Sequence, residues 1–225
     1  MRILYHWPLD PLSRQVRIVL GEKQLKFQLE PISPWKITDE FLALSPEGRP
    51  PVFMNASTTG RTVIAGARAI CEYVEETNSK APMLPGSATE RAEIRRLCDW
   101  FNHKFCDEVS AYIMHEKVEK YIIGHGKPDL GALRSGRDHL RFHLDYMDWL
   151  LEQREWLAGA QCSLADICAG AHLSCLDFVG EVNWKDHPRI KEWYQMFKSR
   201  PSVQPLLSDQ LPGIIPPRYY ANLDF

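Results

Sequence analysis

The spacing of apolar and polar positions changes character near residue 81. Before it, short β-prone runs alternate with helical stripes. Arg2–His6 is β-prone, and Pro11–Glu22 follows with Val16, Val19 and Leu20 at helical spacing. Phe27–Ile32 alternates apolar and polar residues with the period of a half-buried strand. Pro51–Met54 and Thr62–Ile64 are two more β-prone runs, separated by a polar turn at Asn55–Gly60, and Ala67–Glu76 reads as a helix. The predicted order is β-α-β, a variable stretch, then β-β-α.

Ala81-Pro-Met-Leu-Pro-Gly86 cannot continue a helix and suits a linker. Beyond it the pattern is helical almost throughout. Ile94, Leu97, Cys98, Phe101 and Phe105 form one stripe, and Leu133, Leu140, Leu144, Met147 and Leu151 a second. Leu164, Ile167, Cys168, Ala171, Cys175 and Phe178 form a third, and Ile190, Trp193, Tyr194 and Phe197 a fourth. Four long helices with short connections predict an α-bundle. The last stretch contains Pro201, Pro205, Pro212, Pro216 and Pro217 and cannot form a long helix. The chain thus divides into a mixed α/β domain at 1–80, a linker at 81–86, an all-α domain at 87–207 and a proline-rich C-terminal tail at 208–225.

Composition narrows the function. Lys plus Arg number 27 and Asp plus Glu 29 in 225 residues, a formal net charge of −2. That balance predicts no nucleic-acid partner, which would call for a basic excess. No apolar run reaches the ~18–20 residues that span a bilayer, and the N-terminal residues lack a signal-peptide pattern, so the expectation is a cytoplasmic protein without membrane insertion. None of the six cysteines is spaced C-x-x-C, which argues against a zinc ribbon or a dithiol redox site and for reduced core thiols. His139 and His143 share a helix face, yet no third ligand and no H-E-x-x-H pattern accompany them, so no metal is expected.

Pro50-Pro51-Val52, the capping box Ser163-Leu164-Ala165-Asp166, His187-Pro188-Arg189-Ile190-Lys191-Glu192-Trp193 and Ser199-Arg200-Pro201-Ser202-Val203 together resemble the glutathione transferase superfamily. The resemblance spans about residues 2–203 and implies a thioredoxin-like N-terminal domain followed by the all-α C-terminal bundle of that family. It aligns Pro51 with the family's cis-proline, whose strand end binds the cysteinyl backbone of glutathione. Ser163 and Asp166 are a helix cap, a folding element.

The catalytic pattern departs from the family at two places. Aligned on Val16-Arg17, the position of the family's catalytic serine or cysteine holds Asp10. A carboxylate only accepts hydrogen bonds and repels a thiolate, at roughly 4 kcal/mol for like charges ~4 Å apart at an effective dielectric of ~20. Asp10 also suits an N-cap, with Pro11 at the first helical position. Ser13 and Tyr5 are the alternative hydroxyls that could donate to a thiolate. The family's Glu-Ser pair, which grips the γ-glutamyl group, falls on Gly66 and Ala67, neither of which can hydrogen-bond through a side chain. Losing two charge-assisted contacts at roughly 1.5–3 kcal/mol each weakens binding by about 150- to 20,000-fold if additive. The expectation is no glutathione cofactor and no catalytic residue. Arg68, beside this degenerate site, could instead bind a carboxylate or lie solvated on its helix.

Within the superfamily the chain most resembles the FzlA-type, FtsZ-binding proteins of α-proteobacteria. Leu4-Tyr5-His6-Trp7-Pro8-Leu9, Val16 through Lys23, Pro34-Trp35 and the segment from Arg200 to Phe225 carry this likeness. It implies a cytosolic homodimer that binds FtsZ filaments, supports constriction at the division site and needs no glutathione. Trp35, Tyr219, Tyr220, Leu223, Asp224 and Phe225 are the expected partner contacts; for the aromatic ones, packing within the fold is the competing reading. An atypical glutathione transferase acting on small electrophiles is the alternative function.

Overall fold

The computed structural model describes residues 1–58 and 60–225. Thr59, inside the expected turn at 55–60, lies outside the described residues. The chain divides into two compact units, Met1–Met83 with Pro201–Asp209, and Leu84–Arg200 with Gln210–Phe225. Residues 201–209, which include the first two positions of the expected 208–225 tail, group with the first unit.

In the first unit four strands stand in the order β2-β1-β3-β4. They are β1 (Arg2–His6), β2 (Gln28–Pro31), β3 (Val52–Ser57) and β4 (Gly60–Ala65). β1 runs parallel to β2 and antiparallel to β3, and β3 is antiparallel to β4. Helix α1 (Pro11–Glu22) buries Val16, Ile18, Val19 and Leu20, and α3 (Ala67–Thr77) buries Ile70, Cys71 and Val74. The variable stretch contains one short helix, α2 (Asp39–Leu42), capped by the Thr38 hydroxyl accepting from Phe41 N–H at 3.3 Å.

The 201–209 segment is tied to α1 by charge. Asp209 takes Arg17 in a two-pronged pair at 2.7 and 2.9 Å and Arg14 at 3.3 Å. Both guanidiniums are buried, so the carboxylate supplies what water no longer can. Ser202 packs over α1 where Gly21 leaves room: a Cβ there would come within 3.0 Å of the Ser202 Cβ. The neighbouring Ser202 hydroxyl donates to Glu22 at 2.5 Å.

The second unit is helical. A run over 88–123, α4, starts as an α-helix at Ala88–Asp99 and shifts to wider i→i−5 bonding over Trp100–Ser110 and His115–Glu119. It extends well past the stripe that announced it. Helices α5 (Leu130–Leu151), α6 (Leu164–Phe178) and α7 (Pro188–Lys198) follow. Every residue of α6 is buried. Its cap is the expected Ser163–Asp166 pair: Asp166 accepts from the Ser163 N–H at 2.9 Å, the Leu157 N–H at 2.8 Å and the Trp193 indole at 3.1 Å. Gly170 lets α7 approach, since a Cβ there would fall 2.2 Å from the Phe197 ring.

His172, on α6, is fully buried between Ser110 Oγ at 2.9 Å and Asn102 Oδ1 at 3.4 Å. Burial pulls its pKa down from 6.5 to about 3. The folded state therefore holds the proton less well than the unfolded chain. The stability this confers is complete above pH 6.5 and falls as the pH drops toward about 3, by up to about 1.4 kcal/mol per pH unit. Urea unfolding across that window is expected to show wild type losing stability relative to His172→Gln as the pH falls; parallel profiles would contradict it.

Candidate functional site

In the first unit, the residues that the sequence assigns to a degenerate ligand site gather at the start of α1, the β3 entry and the start of α3. Asp10 caps α1, accepting from the Ser13 N–H at 2.7 Å, with Pro11 in the first turn. The Ser13 hydroxyl donates to the same carboxylate at 2.6 Å and accepts from the Trp7 N–H at 3.3 Å. Ser13 is fully buried and its one hydroxyl proton is committed to Asp10. Burial raises the Asp10 pKa from 3.8 to about 6, against the lowering effect of the Ser13 bonds. An incoming thiolate would thus meet an acid with no proton donor to spare. Tyr5, on β1, is half-buried with its ring edge-on to Phe41 at 6.1 Å.

The Pro50–Pro51 bond is cis, as the alignment of Pro51 implies. The Pro51 carbonyl already accepts from the Gly66 N–H at 3.0 Å. Pro50, the residue before the cis bond, has no N–H at all. A ligand amide docking along this strand end therefore finds no donor there. The missing donor is written in the sequence as the second proline beside Pro51. Gly66 sits at φ +87° as the N-cap of α3 and provides no side-chain cap, and Ala67 is buried. Arg68 is exposed on the first turn of α3.

Trp35 is half-buried and meets Trp7 edge-to-face at 5.2 Å. In the second unit the tail folds back on its own helices. Tyr220, expected at a partner contact, is instead buried: it is 1% exposed, its ring edge-on to Phe178 at 5.2 Å. Phe178 and the apolar end of α6 give it a seat that outcompetes water. Phe225 is half-buried against Trp184 at 5.1 Å and Tyr194 at 6.0 Å, and Tyr219 stacks on it at 6.1 Å. Leu223 is half-buried and Asp224 exposed, the Asp224 N–H donating to Asn222 Oδ1 at 3.0 Å. Of the expected contact residues in the tail, Asp224 is thus the exposed one.

His143, one of the two helix-face histidines, is engaged at both ring nitrogens. Its Nδ1 accepts from the Trp100 indole at 3.0 Å, and an indole only donates, so Nε2 carries the proton and gives it to Glu108 at 2.9 Å. Among the described residues no group of three His, Cys, Asp or Glu is placed to hold a metal ion, and no helix is long and apolar enough to cross a membrane.

A further surface escaped the sequence reading. Trp100 lies 4.7 Å from Tyr146, which stacks on Trp149 at 6.0 Å, and Phe142 stands one turn before Tyr146 on the same helix. Phe142 and Trp149 are 52% and 56% exposed. The signal was available: residues 142, 146 and 149 form a second helical stripe on α5, offset from the buried one.

Residues 4–82 match the glutathione S-transferase N-terminal domain model and residues 135–210 the C-terminal domain model. The FtsZ-localized protein A of Caulobacter vibrioides is 49% identical over 224 residues, covering 100% of this chain and 98% of that protein. The solved structure of FzlA from C. crescentus superposes with a TM-score of 0.98 at 49% identity, covering 100% of this chain and 99% of that one. A structure described as a glutathione S-transferase from Rhodospirillum rubrum superposes at 0.96 with 45% identity, covering 100% of both chains. With both domain models matched in order and relatives of this identity aligned end to end, the chain belongs to the glutathione S-transferase family.

Proposed function

We propose that this protein is a transferase-fold partner of the division protein FtsZ, which binds FtsZ filaments and supports constriction without glutathione chemistry. The observation that carries the reading is its 49% identity, end to end, with a protein named for its localisation to FtsZ. The degenerate pocket supports the second half of the proposal. Its position-10 acid holds the nearby hydroxyl proton, its strand end lacks an N–H, and its α3 start lacks both gripping side chains. The protein would act in the cytoplasm at the division site, needing no cofactor and no nucleic acid.

The self-partner we assign to the aromatic face of α4 and α5. Trp100, Phe142, Tyr146 and Trp149 form a row of rings at the surface, flanked by Lys104 at 5.8 Å from the Trp100 ring centre. Exposed Phe142 and Trp149 beside half-buried Trp100 and Tyr146 have the aromatic composition of an interface core, and a second copy offers the same rings back across a two-fold axis.

A second reading, an atypical glutathione transferase, is favoured by the description of the Rhodospirillum rubrum relative. Calorimetry separates the two. We expect no heat of glutathione binding below about 1 mM; a tighter constant would restore the transferase reading.

Co-sedimentation with FtsZ polymerised in GTP tests the proposal itself. Wild type is expected to pellet with the polymer. Asp224→Lys reverses an exposed charge, so it is expected to weaken pelleting by about five-fold or more while leaving the melting temperature nearly unchanged. Folded wild-type protein that stays in the supernatant would overturn the proposal. For the self-partner, light scattering of Trp149→Glu is expected to move the mass toward the 26.0 kDa of a single chain; an unchanged dimer would place the interface elsewhere.

A further inference from the structure

The tail is seated on a buried cation. Lys198, at the end of α7, has a side chain 0% exposed. Its Nζ lies 3.5 Å from Asp177 Oδ2 and is left without a hydrogen-bond acceptor of good geometry. Aromatic faces surround it instead. The Phe225 ring centre is 4.2 Å from Nζ, and those of Tyr194 and Tyr220 are 5.6 Å away. Two of those three rings come from the tail. Gln195 Nε2 donates to the Phe225 backbone oxygen at 3.5 Å, so main chain and ring are held together. Asp177 is itself fixed by the Trp184 indole at 2.9 Å.

We propose that Lys198 and Phe225 form a latch, in which the Phe225 ring packed on the buried ammonium holds residues 219–225 in one arrangement and so presents Leu223 and Asp224 ready-made to a protein partner. This inference rests on the FtsZ reading for the partner's identity, but not for the latch. Phe225 is then a positioning residue for binding rather than a contact. The physical logic lies in what each state offers the lysine. With the tail docked, the ring face replaces the water that burial removed. With the tail released, water returns to the ammonium, so the helices lose little. Opening the latch therefore disorders the tail without unfolding its unit. A flexible tail must be ordered again on binding, which weakens affinity.

The chemistry of the ring separates a latch from plain packing. Phe225→Leu keeps an apolar side chain and removes the π face; Phe225→Tyr keeps both. Trypsin cleavage after Arg218, which is exposed, reports tail opening because it exposes the buried Tyr220 beyond it. Release of the 219–225 peptide is followed by mass spectrometry, in parallel with FtsZ co-sedimentation and thermal melting. We expect Phe225→Leu to speed cleavage and weaken pelleting by about ten-fold each, the effect of one desolvated cation–π contact. Its melting temperature stays within a few degrees of wild type, and Phe225→Tyr restores both readouts. If Phe225→Leu is cleaved and pelleted like wild type, the latch is wrong. If wild type itself does not pellet, the FtsZ reading fails while the cleavage arm still decides the latch.

Discussion

Charges taken out of water organise each unit of this protein, and each must be matched from within. In the first unit, Asp209 answers two buried guanidiniums on α1, which is why residues 201–209 belong with the sheet. In the second, Asp166 gathers donors from the α6 cap, from Leu157 and from Trp193, fixing the helix around which the bundle packs. At the start of α1 the same demand has a functional effect. Asp10 needs a donor, and Ser13 supplies both its N–H and its hydroxyl. The group that could have polarised a thiol is consumed by satisfying the acid. A single acid at position 10 thus removes two things at once: it contributes the wrong charge and it occupies the alternative donor.

The rest of the degenerate pocket follows the same direction. Gly66 and Ala67 leave the α3 start without side-chain groups, and Pro50 leaves the strand end without an N–H. These departures from the family pattern fall on three separate elements. The scaffold itself is kept: Asp10 caps α1, Pro51 leads into β3, and the α6 cap is intact. What remains distinctive is surface, in the aromatic face of α4 and α5 and in the tail.

Much of this was legible in the sequence. The helices of the bundle, the Ser163–Asp166 cap and the cis bond at Pro51 lie where periodicity and resemblance place them, as do the four strands in order, although β3 runs through Ser57 into the expected turn and β2 is exposed rather than half-buried. The side chains lost at Gly66 and Ala67 can be read directly, since a missing hydrogen-bonding group needs no coordinates. The long-range partners could not be read. Asp209 and Arg17 are 192 residues apart, and only folding brings them together. Lys198 looks like an ordinary solvated lysine ending a helix until the tail covers it. For Tyr220 the sequence leaves partner contact and packing within the fold both open, and only its seat on Phe178 decides for packing.

The central claim is that a filament, not a tripeptide, is the ligand of this transferase fold. The most direct measurement is the fraction of protein that pellets with FtsZ polymer across a glutathione titration. The account predicts saturable pelleting that does not change with glutathione. Absence of pelleting by folded protein, or pelleting that glutathione abolishes or induces, would contradict it.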